Sequence, residues 1–539
     1  MPSGQRGVRK LKPALTRNDA AAGDSVHPAG RRENVTSTRD GMQAVVARLA
    51  PYALGIACLL YIAVIFLASK WQLDALRIGF DPLVYEQPLW NTLHGHIAEQ
   101  SALSYTTSAF GQDLFLFHFV LVPFFALKPT TATLLFLQTV AAAGGAVAVY
   151  CIARDAIPRQ PIAPLLFSLL FLSYLPMQNV NLYEVQPRLF AATFLLFAFW
   201  FMMHGRAVAF WVMIVLALIN RNDVALVIAA LGVYGVVTRR RFTYSWAPII
   251  VGLTYWLVAV FIVIPAFAHG AQFSYLQNYD WLGGSFGAIV RTVVTHPVSV
   301  ARTVAGRDRW EYVVSLLFAL GFLPLLSPRV LLIAVPPFLL NIFAGPHFQY
   351  QRDIFHQYSA FITPWLFIAA IFAVGALMDG THPLLRRIRR GEPTTHLRTQ
   401  RGVLAVALVC GMLCLSVVQQ AYTRPNKVGD FVVHKEDANR IASVDTLIPM
   451  IPQDAPLSVT SLAATRVPLR RYLYEFPGNS FYDATLIDRA DYVLGDRRRD
   501  GGAEAGDLDT LKANGQWQLV KRQGDFELLR RITPPPPRR

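Results

Sequence analysis

Short clusters of acidic and aromatic residues interrupt a strongly apolar chain. In the first cluster Asp81 and Tyr85 are one helical turn apart, as are Glu86 and Trp90. Such a helix could offer a carboxylate to a sugar hydroxyl and an aromatic surface to a sugar ring or a lipid. An ordinary helix start, with Asp81 as cap and Trp90 as an interfacial anchor, explains the same pattern. Both interpretations stay open from these residues alone.

Two further clusters combine a carboxylate with a second polar group. Asp113 and His118 bracket the start of an apolar segment and could bind a metal or a phosphate. A helix-capping aspartate and a buried histidine are the structural alternative. Glu184 and Arg188 follow Tyr183 at helical spacing, so they could form an ion pair. The proline between them could instead free Arg188 to bind a phosphate.

A run of polar residues also separates two apolar blocks. It contains Arg221, Asn222 and Asp223. Polar side chains beside a bilayer are costly and are often functional. The sequence therefore predicts a functional segment here, with a plain tight turn as the alternative.

Two longer loops supply the remaining candidates, which are Arg307, Arg309, His356 and Tyr358. The arginines are expected on the outer face, against the usual positive-inside bias. Phosphate binding would explain them. Anchoring to lipid headgroups explains them equally well.

The elements that must position these clusters are membrane-spanning helices. The chain has 539 residues, of which 54% are hydrophobic and only 16% are charged. Long apolar blocks such as residues 50–69 and 131–153 carry almost no charge, which is typical of bilayer spans. The net charge of +16 comes from basic residues beside these blocks, which indicates membrane topology and no nucleic-acid partner. Phosphate-loop, dinucleotide-binding and zinc-protease motifs are absent from the sequence.

The pattern predicts a polytopic α-helical membrane protein with about eleven transmembrane helices. The apolar segment 114–127 is too short to cross, so we predict an interfacial or re-entrant helix there. With this choice every arginine-rich short loop lies in the cytoplasm, and the polar clusters share the outer face.

The same analysis divides the chain into four parts. Residues 1–48 are predicted to be a disordered, basic cytoplasmic leader. Residues 49–420 form the transmembrane domain, and residues 421–530 a small extracytoplasmic α/β domain. Residues 531–539 are a disordered tail of prolines and arginines. The expected location is the inner or plasma membrane.

Several of these motifs together resemble a bacterial family of membrane proteins known as domain of unknown function 2079. The resemblance covers most of residues 70–500 and rests on Phe80-Asp81, Tyr85-Glu86-Gln87, Leu89-Trp90-Asn91, Gly95, His118, Tyr183-Glu184, Gln186-Pro187-Arg188, Arg221-Asn222-Asp223, His356, Tyr358, Ala360 and Ala490-Asp491-Tyr492-Val493.

That family in turn looks like the GT-C glycosyltransferases. The resemblance implies a GT-C-like bundle with juxtamembrane helices in the first outer loop and a polyprenyl-phosphate-linked sugar as donor. It implies that Asp81 is the catalytic base or a metal-associated acid, with Glu86 beside it and His118 at the juxtamembrane segment. It leaves open whether Asp81 or Asp113 is the base, and it admits a divalent cation without requiring one.

The sequence therefore favours a membrane glycosyltransferase at the outer face of the cytoplasmic membrane. Asp81 would deprotonate the acceptor, and arginines 188, 221, 307 and 309 would stabilise the leaving phosphate. A transporter or flippase of lipid-linked envelope precursors is one alternative, and it would need no carboxylate base. A non-catalytic envelope scaffold is the other, and it predicts no coherent pocket.

Overall fold

A computed structural model describes residues 30–103, 106–268, 273–380, 395–423, 435–477 and 484–534. Most of this part of the chain is helical. The first ten helices are α1 (Gly30–Asp74), α2 (Asp81–Leu93), α3 (His118–Leu127), α4 (Thr131–Ala156), α5 (Ala163–Ser173), α6 (Leu175–Tyr183), α7 (Arg188–Met203), α8 (Ala207–Leu218), α9 (Val224–Val237) and α10 (Trp246–Phe267), the last with a π-helical turn at Ala259–Val263.

The helices after α10 begin with two short amphipathic ones and end in the C-terminal domain. They are α11 (Phe286–Thr295), α12 (Pro297–Val304), α13 (Arg307–Phe318), α14 (Pro328–Ile342), α15 (Thr363–Asp379), α16 (Thr395–Thr423), α17 (Lys435–Leu447) and α18 (Ala503–Ala513). Three-residue to seven-residue 3₁₀ turns lie between several of them, including Ser274–Tyr279, Pro346–Arg352 and Gln357–Ser359.

Each of the eleven apolar segments coincides with helical structure, but helix lengths differ widely. Within the described residues, four helices are long and apolar enough to cross a membrane, and the bent pair α5–α6 makes a fifth. Several others are shorter apolar helices, such as α8 with 12 residues. A multi-pass helical membrane domain is thus confirmed at a coarser level, whereas the count of eleven crossings stays a prediction.

The first loop after α1 contains α2 and α3. Helix α3 has only 10 residues, about 15 Å at 1.5 Å per residue, half the thickness of a bilayer core. This length agrees with the expectation that segment 114–127 does not cross. Phe117 N–H donates to the carbonyl of Ile219 at 2.7 Å, which fixes the start of α3 against the α8–α9 turn.

Helix α1 extends into the segment that the sequence predicts to be a leader. Helix α1 begins at Gly30, whereas the sequence predicted disorder through residue 48. Extending an existing helix costs far less than nucleating one, so the long apolar span extends into the polar residues before it. Residues 1–29 and 535–539 lie outside the described part of the chain.

The C-terminal part forms the expected small α/β domain. Its five-stranded sheet has the order β2-β1-β3-β5-β4, in which β1 pairs in parallel with β2 and β3, and β5 pairs antiparallel with β3 and β4. The strands are β1 (Leu457–Thr460), β2 (Leu473–Phe476), β3 (Tyr492–Asp496), β4 (Trp517–Gln523) and β5 (Phe526–Arg531). Strand β2 and helix α18 were not predicted from the sequence.

The C-terminal domain packs directly on α2. One apolar cluster contains Phe80, Leu83 and Val84 of the first loop together with Leu457 and Leu473 of the sheet. Burying these side chains jointly removes apolar surface of both parts from water. The start of α2, which carries Asp81, is therefore held between the helical bundle and the sheet.

Small residues hold the bundle tightly together near the α8–α9 turn. A Cβ on Gly252 of α10 would lie 2.5 Å from the carbonyl oxygen of Ala225 in α9. Only glycine permits this approach, as is common between membrane helices. Helix α9 also packs on α14, so the turn that begins it has a fixed position.

Candidate active site

Five separate chain segments meet at one end of the helical bundle. They are the start of α2, the α6–α7 link, the α8–α9 turn, the 3₁₀ segment Ser274–Tyr279 and the loop from Pro346 to Ser359. Each lies where a helix ends, because polar side chains are excluded from the apolar helix interiors. Together with Ala102, Leu103, Gln112 and Glu475, they enclose a polar chamber of about 340 Å³.

A pair of carboxyl groups lies at the chamber wall. Asp81 and Glu184 are hydrogen-bonded to one another, and Gly79 N–H donates to Glu184 Oε1 at 3.0 Å. Residue 79 must be small, because a Cβ there would lie 2.7 Å from that oxygen. Protein surrounds Asp81, yet its side chain is exposed to the chamber. It can therefore contact a small molecule bound there.

The two carboxyls differ in their affinity for a proton. Burial raises the pKa of Glu184 well above its usual value, and the charge of Asp81 raises it further. Burial also raises the pKa of Asp81, but the hydrogen bond from Glu184 and the nearby Arg188 oppose the rise. Of the two carboxyls, Glu184 therefore has the more strongly raised pKa, and Asp81 is the better placed to be ionised.

Two arginines lie beside the carboxyl pair. Arg221 is buried, and its Nη1 donates to Asp113 Oδ2 at 2.7 Å while its Nε donates to Asp223 Oδ1 at 3.2 Å. Tyr85 Oη lies 3.4 Å from Arg221 Nη1. Burial would raise the pKa of Asp223, but Arg221 and Arg188 hold it below its usual value.

Arg188 is held much more loosely than Arg221. Its Nη2 lies 3.6 Å from Asp223 Oδ2, and its guanidinium lies over the ring of Tyr358 at 5.0 Å. The residue is only 6% exposed. Among the described residues, its guanidinium makes no hydrogen bond within normal distance. A buried guanidinium needs hydrogen-bond acceptors, so the geometry fits an anionic ligand at this position.

The arginines mark the junction between two cavities. The second cavity, of about 380 Å³, is mainly apolar. Residues common to both cavities are Arg188, Arg221, Tyr275, Asn278 and Tyr358. The apolar side chains beyond the junction include Leu226, Trp256, Leu276, Phe286, Ile289, Val293, Leu340 and Phe361. The structure therefore places cationic groups between a polar compartment and an apolar one.

Aromatic and amide side chains complete the polar chamber. The His356 ring contacts the Tyr183 ring with centroids 5.0 Å apart, and its Nδ1 is bonded to Asp353 at 2.8 Å. The Tyr350 ring lies beside His356 on the same wall, with ring centroids 5.8 Å apart. Amide side chains also line the chamber, namely Gln112, Gln186, Gln277, Asn278 and Gln357. Such a mixture of rings and amides suits a ligand with many hydroxyl groups.

Most of the predicted site residues converge here. Asp81, Tyr85, Tyr183, Arg188, Arg221, His356 and Tyr358 line the polar chamber, and Asn222 and Asp223 line the apolar cavity. Asp113 contacts Arg221, and Glu184 contacts Asp81. The structure thus gives the positions of these residues. Their chemical roles stay predictions.

Three residues of the first loop lie outside the two cavities. His118 Nε2 is hydrogen-bonded to Thr92 Oγ1 at 2.7 Å. The Trp90 ring stacks on the His94 ring, with centroids 3.8 Å apart. Glu86 accepts a hydrogen bond from Thr131 Oγ1 at 2.6 Å. Glu86 is five residues beyond Asp81, which turns it to another side of α2. The geometry therefore separates it from Asp81.

The arginines of α13 line neither of the two cavities. Arg307 is exposed and pairs with Glu311. Arg309 is buried, and its Nε donates to the carbonyl of Ile342 at 3.0 Å while Nη1 donates to Asp308. Arg309 therefore fixes α13 to the end of α14, and neither arginine lies at the junction of the cavities.

The burial of Glu86 can be tested through the pH dependence of the protein's stability. Burial raises its pKa to about 7, so folding favours the protonated form, and its contribution to stability is lost as pH rises through 7. Glu86→Gln stays neutral at every pH. Between pH 5 and 8 the wild type should lose roughly 2 kcal/mol more stability than this variant. Thermal unfolding in nanodiscs at both pH values measures this difference, and equal losses in both proteins would contradict it.

Sequence reasoning missed several residues of the chamber. Tyr275 and Asn278 lie at the junction, Tyr350 lies on the aromatic wall, and Glu475 comes from the C-terminal domain. Tyrosines and amides in long loops carry no spacing signal. Glu475 contacts the site only through the tertiary structure, since nearly 400 positions separate it from Asp81.

The metal-ligating side chains of the site are too few to build a metal centre by themselves. Within the described part of the chain, no group of three or more His, Cys, Asp or Glu side chains is arranged to hold a metal ion. Divalent cations that prefer oxygen take six or more ligands, of which the carboxyl pair would supply a minority. The mechanism proposed below uses no step through a metal.

A family comparison decides the classification. The model of the predicted membrane proteins known as DUF2079 matches residues 72–528. The chain belongs to this family. This match confirms the resemblance that the sequence motifs of the DUF2079 protein indicate. No curated protein sequence gives a significant match.

Solved structures show a more distant likeness. ArnT from Cupriavidus metallidurans bound to undecaprenyl phosphate is 15% identical, with a TM-score of 0.47, and the match covers 87% of this chain and 97% of that one. Its apo form is 14% identical with the same TM-score, over 89% and 98% of the two chains. The oligosaccharyltransferase AglB from Archaeoglobus fulgidus, in complex with an inhibitory peptide and a dolichol-phosphate, is 13% identical with a TM-score of 0.36, over 81% and 69%. These values describe a loose likeness in overall arrangement.

Proposed function

We propose that this DUF2079 protein is a membrane glycosyltransferase that takes a sugar from a polyprenyl-phosphate donor. The observation that carries the proposal is the loosely held Arg188 at the junction of an apolar cavity and a polar chamber. A lipid-linked sugar has the same three parts in the same order, namely an apolar chain, a phosphate and a polar sugar. Few other ligands match that sequence of environments.

Each part of the donor has a matching surface. The polyprenyl chain would occupy the apolar cavity, where burial of its carbon atoms is favourable. The phosphate would lie at Arg188 and Arg221, whose planar guanidinium groups bind phosphate oxygens in pairs. The sugar would lie in the chamber among the aromatic and amide side chains, beside Asp81.

The reaction follows from this placement. Asp81 accepts the proton of an acceptor hydroxyl, and the hydroxyl oxygen bonds to the anomeric carbon of the sugar. The bond between that carbon and the phosphate oxygen breaks, and its electrons leave on the polyprenyl phosphate. Arg188 and Arg221 stabilise the charge that develops there. Glu184 orients Asp81 through the hydrogen bond between the two carboxyl groups.

We further propose that the reaction takes place on the extracytoplasmic side. The arginine-rich loops at 239–241 and 386–401 favour the cytoplasm. The chamber is built from the other set of loops, together with the C-terminal domain. The partner molecules are then a polyprenyl-phosphate-linked sugar, membrane lipid and an envelope acceptor.

Reconstitution distinguishes this proposal from a transporter. The purified protein is placed in proteoliposomes with a panel of polyprenyl-phosphate sugars and a panel of hydroxyl-bearing acceptors, and the lipids are followed by mass spectrometry. The enzyme releases free polyprenyl phosphate from at least one donor. A flippase moves the intact donor across the bilayer without releasing it, and that result would overturn the proposal. A scaffold would neither convert any donor nor move it across the bilayer, and that result would also overturn the proposal.

A further inference from the structure

The loop from Pro346 to Ser359 carries a histidine–aspartate pair. Asp353 Oδ1 accepts hydrogen bonds from the backbone N–H groups of Phe355 at 2.8 Å and of His356 at 3.0 Å. Its Oδ2 lies 2.8 Å from Nδ1 of the His356 ring. Because an ionised carboxylate only accepts hydrogen bonds, this geometry assigns the ring proton to Nδ1. In the neutral ring the basic lone pair is then on Nε2.

The second ring nitrogen, Nε2, is accessible from the polar chamber. His356 lines the chamber, and its side chain is 29% exposed. Within the part of the chain that the structure describes, Nε2 has no hydrogen-bond partner and is not buried. The rings of Tyr183 and Tyr350 contact the imidazole and restrict its orientation. Asp353 and the two tyrosines therefore hold a proton acceptor at the chamber wall.

Asp81 lines the same chamber, near enough to His356 for their charges to interact. Burial raises the pKa of Asp81, and the charge of His356 is one of the effects that oppose this rise. Asp81 and Asp353 are thus two carboxylates that stabilise positive charge on the ring. Glu184 is hydrogen-bonded to Asp81. The other titratable or charged side chains that line the chamber are Tyr85, Tyr183, Arg188, Arg221, Tyr275, Tyr350, Tyr358 and Glu475.

The proposed reaction leaves a proton on Asp81, which must be removed before the next cycle. Sugar and acceptor groups bound in the chamber displace water from Asp81, so a nearby protein group is the available proton acceptor. We propose that His356 is that group, held in place by Asp353, and that it carries the acceptor's proton from Asp81 to water. The inference rests on the proposed function and adds a second proton-transfer residue to it.

The transfer from Asp81 to His356 conserves protons and charge. The O–H bond of protonated Asp81 breaks as an N–H bond forms at His356 Nε2, directly or through one water molecule. Asp81 becomes a carboxylate again, and the ring becomes an imidazolium paired with Asp353. The imidazolium releases the proton to water after the products leave, which returns both side chains to their starting state.

Chemical rescue of the full-length protein in nanodiscs tests this assignment, with the donor and acceptor panels of the reconstitution experiment as substrates. His356→Ala should lower kcat about 10²-fold at pH 7, because a positioned acid or base typically contributes a factor of this size. Added imidazole should restore much of the rate, and more as pH rises, since its neutral form accepts the proton. Pyrazole has nearly the same shape but is a far weaker base, so it should restore none. Binding of undecaprenyl phosphate, measured by thermophoresis, should stay unchanged.

Two further variants and a control separate proton transfer from packing. His356→Gln cannot titrate, so its kcat should lack the rise with pH that the imidazole gives the wild type. Asp353→Asn should also lower kcat, since asparagine no longer fixes the hydrogen on Nδ1. His204→Gln is the matched control. His204 Nε2 lies 3.3 Å from Asp155 Oδ2 at the other end of α7 and lines neither cavity, so its replacement should leave transfer unchanged.

The outcomes distinguish this inference from the proposed function. If the wild type transfers sugar and His356→Ala keeps its kcat, the inference is overturned. Rescue by pyrazole as well as imidazole, or by neither in a variant that binds undecaprenyl phosphate, shows a packing role and also overturns it. An unchanged pH dependence of kcat in His356→Gln overturns it without any need for the alanine variant to fold. A wild type that transfers no sugar overturns the proposed function, and the inference falls with it.

Discussion

Replacing Asp81 by asparagine is expected to lower the rate of sugar transfer about 10²- to 10⁴-fold, because asparagine cannot accept the acceptor's proton. Asparagine has nearly the same shape and can still hydrogen-bond to Glu184. Binding of the donor lipid should therefore persist. Transfer is measured as polyprenyl phosphate released per minute in nanodiscs, with the donor and acceptor found in the reconstitution experiment, and donor binding is measured separately by thermophoresis.

Asp280→Asn is the matched control for this prediction. Asp280 is exposed in the turn after the 3₁₀ segment Ser274–Tyr279, and it lies outside both cavities. Its replacement should leave transfer and binding unchanged. If folded Asp81→Asn protein keeps full transfer activity, Asp81 is not the base. In that case Asp113, the alternative left open by the sequence, would be tested in the same assay.

Replacing Arg188 by glutamine is expected to lower the ratio kcat/KM by about 10²- to 10³-fold, since a cation aimed at the leaving phosphate stabilises the transition state. Arg188 is the better target of the two arginines. Arg221 is bound by Asp113 and Asp223 inside the protein, so its removal would strand buried charge and destabilise the fold. Within the described part of the chain, Asp223 at 3.6 Å is the one carboxylate that pairs with Arg188.

The Arg188→Lys variant separates charge from geometry. Lysine keeps the positive charge but loses the planar fork, so it should recover part of the lost activity. Arg302→Gln removes an exposed arginine of α12 outside both cavities and should have no effect. Normal turnover by folded Arg188→Gln protein would show that the phosphate binds elsewhere.

The helical part of the fold was accessible from the sequence because apolar blocks report bilayer contact directly. Helix ends were harder to predict. Polar residues before residue 49 join α1, and 3₁₀ turns break up the loops. Strand β2 was missed because it has four residues, and Glu475 interrupts its apolar pattern. The residue that hid the strand is the one that lines the chamber.

The candidate site was recognisable where polar residues interrupt apolar blocks. Asp81, Glu184, Arg188 and Arg221 were found in this way, and the structure brings them together. Spacing could not show which side of α2 faces the chamber, because nearly all of that helix is buried. The grouping of Glu86 with Asp81 therefore had no support from geometry. The sequence also could not show that Arg309 lines neither cavity, because its buried hydrogen bond to the Ile342 carbonyl leaves no signal in the sequence.

The most direct test of the central claim is a cryo-electron microscopy structure of the protein with undecaprenyl phosphate in nanodiscs. The proposal predicts phosphate density within hydrogen-bonding distance of Arg188, with the first isoprene units in the apolar cavity beside Trp256 and Phe286. Density for the lipid elsewhere on the protein, with the junction between the two cavities empty, would contradict it.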